Sequence, residues 1–318
     1  MPGAVIKGMA TKAQYFIEYD QKGRDYGLPP SLWIKAGFEK GSERSIPLYA
    51  AEVNFFRDLA PRLPVRTPRS YFQAIDPDTG NGVLILEDLT LSHARFGKQS
   101  DPLSPEGAAK VLEAQAGYHA YFAAEDHRSD FPWLTVRGAI GKVDVTDEFL
   151  GFWDVAEKLP RYRFVPQSLK DRDRVRRGIR AMEAIDRSEA HWLVHGDCHL
   201  GNLFFEPDGT IGLIDWQTCM RGHWAFDVSY FMTVSLSVED RRRHERDLIR
   251  GYLERLAFHG ARPPSFEDAW LAYRQHIAWC FLTIMCPVEK QSEDICTLNS
   301  ERTSAAMTDL DTLDALGV

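Results

Sequence analysis

The eleven residues His195-Gly-Asp-Cys-His-Leu-Gly-Asn-Leu-Phe-Phe205, followed by the apolar run Ile211-Gly-Leu-Ile214 and then Asp215, constrain this chain more than any other feature. Trp192-Leu-Val194, Leu203-Phe-Phe205 and Ile211–Ile214 read as short strands. Between the last two lies Glu206-Pro-Asp-Gly209, a turn sequence in which Pro fixes one φ and Gly tolerates a positive one. A hairpin follows, and its ladder brings Asn202 and Asp215 to the same end, with Asp197 only five residues before Asn202. Two hard oxygen donors suit Mg2+ bound against phosphates, and a neighbouring carboxylate suits an attacking hydroxyl, so the pattern points to phosphoryl transfer. Two other readings exist: plain turn residues, or a transition-metal site built from His195, His199 and an acid. Zinc needs a third or fourth ligand in fixed geometry, and neither paired cysteines nor a His-Glu-x-x-His pattern supplies one.

Such a site also needs a cation on the α- and β-phosphates, held by a glutamate. Leu32-Trp-Ile-Lys35 is a short apolar run ending in Lys, preceded by the turn Gly27-Leu-Pro-Pro30. Pro47 to Leu59 has helical periodicity through Leu48, Val53, Phe56 and Leu59, with Pro47 suited to the first turn and Glu52 near the middle. Taken alone, Lys35 also fits a snorkelling strand-end lysine and Glu52 an exposed helix acid. Val83-Leu-Ile-Leu86 followed by Glu87-Asp-Leu89 reads as a strand and the stretch that leaves it. No G-x-G-x-x-G is present. The best phosphate-covering candidate is Gly8-Met-Ala-Thr-Lys12, between two runs, Ala4–Ile6 and Gln14–Tyr19, that can pair as a hairpin. The absence of G-x-x-x-x-G-K-S/T disfavours a P-loop NTPase.

Taken together, these residues resemble the aminoglycoside phosphotransferase superfamily of small-molecule kinases. The family's H-G-D-x-x-x-x-N loop is matched by His195, Gly196, Asp197 and Asn202. Its I-D-W turn is matched by Ile214, Asp215 and Trp216, and the later Gly and Asp by Gly222 and Asp227. The run Leu84-Ile-Leu-Glu-Asp-Leu89 is similar to the ecdysteroid-kinase-like branch, which implies a hinge there joining two lobes and adenine on the backbone at Glu87 and Leu89. The resemblance implies Asp197 as catalytic base or hydroxyl-orienting group, Asn202 and Asp215 as Mg2+ ligands, and Asp227 as an internal acceptor bracing the catalytic loop. From the residues alone, Asp227 also fits an acid at the start of a helix over Val228–Phe231. A histidine comparable to His119 occurs in the family, expected here to pack in the core or to touch the catalytic loop.

The expected fold is α+β: a two-lobed protein-kinase-like arrangement with a small antiparallel-sheet N-lobe over 1–89 and a larger helical C-lobe over 90–318. Strands are predicted near 4–19, 32–36, 69–75 and 83–87, and helices over 105–124 and 266–285. The basic cluster from Lys170 to Arg180 reads as an amphipathic helix. Composition fits a globular protein of this size, 318 residues with 44% hydrophobic and 26% charged. A formal charge of −8 argues against general nucleic-acid binding. Five scattered cysteines suggest reduced thiols in a cytoplasm, and the longest late apolar stretch, Ala278–Cys286, is too short to cross a bilayer.

The expected activity is ATP- and Mg2+-dependent phosphorylation of a hydroxyl on a small molecule. Its alternative is a pseudokinase that binds nucleotide without transfer. Gly196 stands where protein kinases usually carry Arg, and Asp215-Trp-Gln replaces Asp-Phe-Gly, which makes a protein kinase the weaker choice. Trp133, Trp153, Trp224, Trp270 and Trp279 favour an apolar or mixed acceptor over a polycation, if any of them lines the cleft. Oligomeric state is not legible.

Overall fold

The computed structural model describes residues 2–8, 10–39, 42–124, 127–142 and 144–318. Met9, inside the candidate phosphate-covering loop, lies outside the described residues. Five strands form one antiparallel sheet: β1 (Pro2–Ile6), β2 (Thr11–Phe16), β3 (Ser31–Ala36), β4 (Ser70–Ile75) and β5 (Gly82–Glu87), in the order β1-β2-β3-β5-β4. β3 is central, and its register sets Lys35 opposite Lys12 on one side and Leu84 on the other.

The helix predicted around Glu52 runs Ile46–Asn54 and continues as a wider π-type turn, Phe55–Leu59. Pro occupies its first turn, where a missing N–H costs nothing. The extra residue per turn drives Phe55, Phe56 and Leu59 into the interior together. Phe55 stacks on Trp216 with ring centroids 4.0 Å apart and planes at 8°. The apolar core is therefore continuous from this helix into the helical body.

The helical body begins in earnest with Pro105–Ala124, packed on Val238–Phe258. Short strands lie just ahead of the first of these helices, β6 (Arg95–Phe96), and between the two, β7 (Trp192–Val194), β8 (Leu203–Phe205), β9 (Ile211–Leu213) and β10 (Met220–Gly222). β8 and β9 form the expected hairpin, Leu203 facing Leu213, and β7 pairs with β10, a partner that no pattern in the sequence announced. The basic cluster enters an amphipathic helix, Arg172–Ser188, with Val175, Ile179 and Met182 buried. The single helix expected over 266–285 is instead Phe266–His276, a 3-10 turn Ile277–Cys280, and Phe281–Ile284. All four residues of the tighter turn are buried, more apolar surface than one stripe of a regular α-helix can present to a core.

No helix of the described residues is long and apolar enough to cross a membrane. The tryptophans weighed as acceptor platforms are engaged in packing. Trp153 stacks on Phe281, Trp224 on Tyr252, and Trp279 lies under Arg137. Trp133 donates to Asp58 at 2.8 Å, and Trp270 carries Arg246 on its face. The preference for an apolar acceptor drawn from them therefore loses its basis.

Candidate active site

Two turns build the site, and buried polar groups fix their separation. The first follows β7. Gly196 adopts φ +85°, and a Cβ there would meet the Thr218 carbonyl oxygen at 2.5 Å, so only glycine fits. Asp227, at the start of the helix Ala225–Ser235, accepts from the backbone N–H of His195 at 2.7 Å and of Gly196 at 2.9 Å. The Tyr118 hydroxyl donates to the same carboxylate at 2.6 Å, and His119 Nε2 lies 3.4 Å away. The expected brace is thus present, and His119, fully buried, belongs to it. Burial pushes the Asp227 carboxyl up, but these donors outweigh it and hold the group below the ordinary carboxylate range.

The second turn follows β9. Ile214 donates its N–H to the Asn202 carbonyl at 2.9 Å, extending the ladder by one rung, and Asp215 then turns into the left-handed region at φ 66°. Aspartate is among the few residues that tolerate this conformation. His195 ties the two turns together: its Nδ1 accepts from Asp197 N–H at 3.2 Å and its Nε2 faces the Ile214 carbonyl at 3.0 Å. That pairing assigns the neutral tautomer with the proton on Nε2, consistent with a ring whose burial holds its pKa below the usual value. Thr218 adds a bond to the His195 carbonyl at 2.9 Å.

The predicted residues come together around these turns. Asn202 Nδ2 donates to the Asp197 carbonyl at 2.9 Å and to its carboxylate at 3.2 Å. Its side-chain oxygen is thereby the end turned away from Asp197. Lys35 Nζ sits 2.7 Å from Asp215 and 2.7 Å from Glu52, and both Lys35 and Glu52 are nearly inaccessible. Burial alone would lower the Lys35 pKa, but the flanking Asp215 and Glu52 carboxylates raise it, so the ammonium stays charged. Burial pushes Asp215 up, and Lys35 with Lys12 pulls it far below the ordinary range. Asp197, with 36% of its side chain exposed, is also lowered, the cost of burial being outweighed first by His199, 3.6 Å away.

Glu87 and Leu89 flank the end of β5 as expected, Leu89 buried and Glu87 bonded through its side chain to Arg66 at 2.9 Å. Sequence reasoning passed over the residue between them. Asp88 accepts from Ser31 at 2.5 Å, from Gln14 at 2.8 Å and from the Thr90 hydroxyl at 2.7 Å, joining β2, β3 and the following turn. It also passed over Tyr230, and it weighed His199 only as a turn residue or a transition-metal ligand. The Tyr230 ring meets His199 edge-on, centroids 6.3 Å apart, on the side of Asp197, and burial and then the Asp197 charge push its phenol well above the usual pKa. The acid-rich spacing of Glu87-Asp88 offered a signal for the first, whereas Tyr230 is distant along the chain and offered none.

Chemically, the arrangement offers one carboxylate open to solvent, and an amide oxygen and a second carboxylate suited to a hard divalent cation. Among the described residues no group of three His, Cys, Asp or Glu side chains is placed to hold a metal by itself. A cation at Asn202 and Asp215 would need further oxygens from a ligand or water, as Mg2+ at phosphates does. The donor set fits magnesium.

Comparisons with known proteins bear on this geometry. A family model described as the phosphotransferase enzyme family matches residues 38–264. No curated protein matches in a sequence search. Among solved structures, a putative aminoglycoside phosphotransferase from Ralstonia eutropha JMP134 superposes with TM-score 0.54 at 15% identity, covering 100% of this chain and 93% of that one. The choline kinase LicA from Streptococcus pneumoniae gives 0.52 at 16%, covering 98% and 94%, and has also been solved in complex with AMP. An ethanolamine kinase from Plasmodium vivax gives 0.57 at 11%, covering 98% and 82%. At these identities the likeness establishes the two-lobed, kinase-like fold.

Proposed function

Because the chain belongs to the phosphotransferase enzyme family, we propose that it moves the γ-phosphoryl group of ATP, as a magnesium complex, directly to a hydroxyl of a small molecule. One observation carries the reading: Lys35, Glu52, Asp197, Asn202 and Asp215, drawn from a strand, a helix and two turns, converge on one site. We assign nucleotide binding to an N-lobe over 1–89, and the catalytic loop, metal ligands and acceptor cleft to 90–318. Adenine is placed against the backbone at Glu87 and Leu89. Lys35, held by Glu52, serves the α- and β-phosphates, and Asn202 and Asp215 serve as magnesium ligands. When bound, magnesium supplies charge neutralisation and orientation at the phosphate oxygens.

Asp197 receives the acceptor hydroxyl. Its carboxyl is held below the ordinary range, so it is ionised at neutral pH and a weak base. Its main work is to orient the hydroxyl, taking the proton as charge develops on the attacking oxygen. The ecdysteroid-kinase-like branch is our finer placement, supported by Leu84–Leu89, and five free thiols support a reducing cytoplasm. The pseudokinase reading has no missing member of the five residues to rest on.

The test is ADP release with a panel of alcohols, sterols, hydroxy acids, aminoglycosides, choline and ethanolamine. At least one acceptor is expected to give turnover that Asp197→Asn lowers by roughly 10²- to 10⁴-fold. Full turnover in that variant removes the assignment of Asp197. Stabilisation by Mg-ATP with no ADP from any acceptor would favour the pseudokinase.

A further inference from the structure

The hairpin β1–β2 carries a second lysine into the site. Lys12 pairs directly with Lys35 across the β2–β3 ladder, so the two side chains share one face of the sheet. Lys35 Nζ takes Oδ1 of Asp215 at 2.7 Å, and Lys12 Nζ takes Oδ2 at 3.3 Å. Like charges directly opposed across a strand pair are destabilising, and here a single carboxylate offsets both. The Lys12 side chain remains one-third exposed, against 5% for Lys35. A surface lysine serving stability alone has no reason to sit beside a buried one.

Gly8, the glycine of the stretch ahead of Lys12, lacks the close approach expected in a glycine-rich phosphate cradle. A Cβ on Gly8 would meet nothing nearer than the Ala10 carbonyl at 3.6 Å, an ordinary contact, and its φ is not positive. Glycine is therefore not demanded by a close backbone approach at that position. Charge balance points the same way. Two lysines against Asp215 and Glu52 sum to zero, so a divalent cation joining Asp215 leaves an ammonium available to phosphate.

We propose that Lys12 is a nucleotide-binding residue whose ammonium grips the β- and γ-phosphates, replacing with one side chain the backbone amides of a glycine-rich loop. The proposal rests on the kinase reading above and deepens it. Lys12 selects for the terminal phosphates, and Lys35 serves the inner ones.

The experiment is isothermal titration of the full chain with Mg-ATP, Mg-ADP and AMP, in wild type, Lys12→Met and Lys12→Arg, with a thermal melt of each free protein. Lys12→Met is expected to weaken Mg-ATP about tenfold or more while AMP stays within about twofold, and Lys12→Arg to restore most of the loss. Equal weakening of ATP and AMP, or no change in either, overturns the clamp while leaving the kinase reading standing. A wild type that binds none of the three nucleotides removes the kinase reading and the clamp with it. If Lys12→Met fails to fold, Lys12→Gln, one atom shorter and uncharged but with a polar end, carries the same ATP-against-AMP comparison.

Discussion

Lys35 is a nearly inaccessible cation between two carboxylates, Glu52 buried and Asp215 largely so, and that makes its energetics lopsided. Taking the three charges out of water is costly, and their mutual attraction offsets the cost only while all partners are present. Lys35→Met leaves Glu52 buried without its counter-charge and is expected to cost about 3–5 kcal/mol of unfolding free energy. Lys35→Met with Glu52→Leu removes both and should recover most of that loss, although neither variant should transfer phosphate. Urea denaturation of the two variants checks this, and equal instability in both would mean that the pair does not act as a unit. Asp227 works on the opposite principle. It carries no formal cation beside it and is satisfied by two backbone N–H groups and a phenol, so it acts as part of the backbone of the catalytic turn.

At the scale of elements, the hinge after β5 is held by Asp88. Burial would raise this carboxyl, but bonds from Ser31, Thr90 and Gln14 outweigh it and lower it to about 2 from 3.8. A folded-state value below the unfolded one means that the ionised form contributes stability above about pH 4, and that the contribution is lost as pH falls toward 2. Its size is on the order of 2 kcal/mol. Chemical denaturation at stepped pH should show this loss in wild type and a flatter profile between pH 4 and pH 2 in Asp88→Asn. The β8–β9 hairpin shows the same division of labour between turn and ladder. Glu206–Gly209 made the turn readable, and the ladder then delivered Asn202 and Ile214 to one shared rung, next to the Leu203–Leu213 pair. The β7–β10 pair was not readable, since Met220-Arg-Gly222 is too short to carry a strand pattern and its partner lies far back in the chain, beside the turn that Asp227 and Thr218 hold.

At the scale of the molecule, Arg66, just ahead of β4, ties the end of the sheet to the helical body at several points. Its carbonyl accepts from Leu213 N–H at 2.9 Å, and its guanidinium reaches Glu87 at the hinge and Glu206 at the hairpin, each at 2.9 Å. It also lies 5.3 Å from the Phe204 ring centre. Arg66→Ala is expected to cost about 1–2 kcal/mol, since these pairs are only partly exposed. It should also speed amide exchange at Glu87 and Leu213 more than in the helix Pro105–Ala124, as hydrogen exchange would show. The sequence by itself determined the strand–turn–strand units, the Glu52 helix and which polar residues the two turns carry, because turn chemistry and periodicity act within a few residues of the chain. Only the tertiary structure decided that Lys12 shares Asp215 with Lys35, that Asp88 rather than its neighbours locks the hinge, and that Tyr230 stands beside Asp197. Those contacts join residues far apart in the chain, and burial and charge act on what lies near in space, whatever its distance along the sequence.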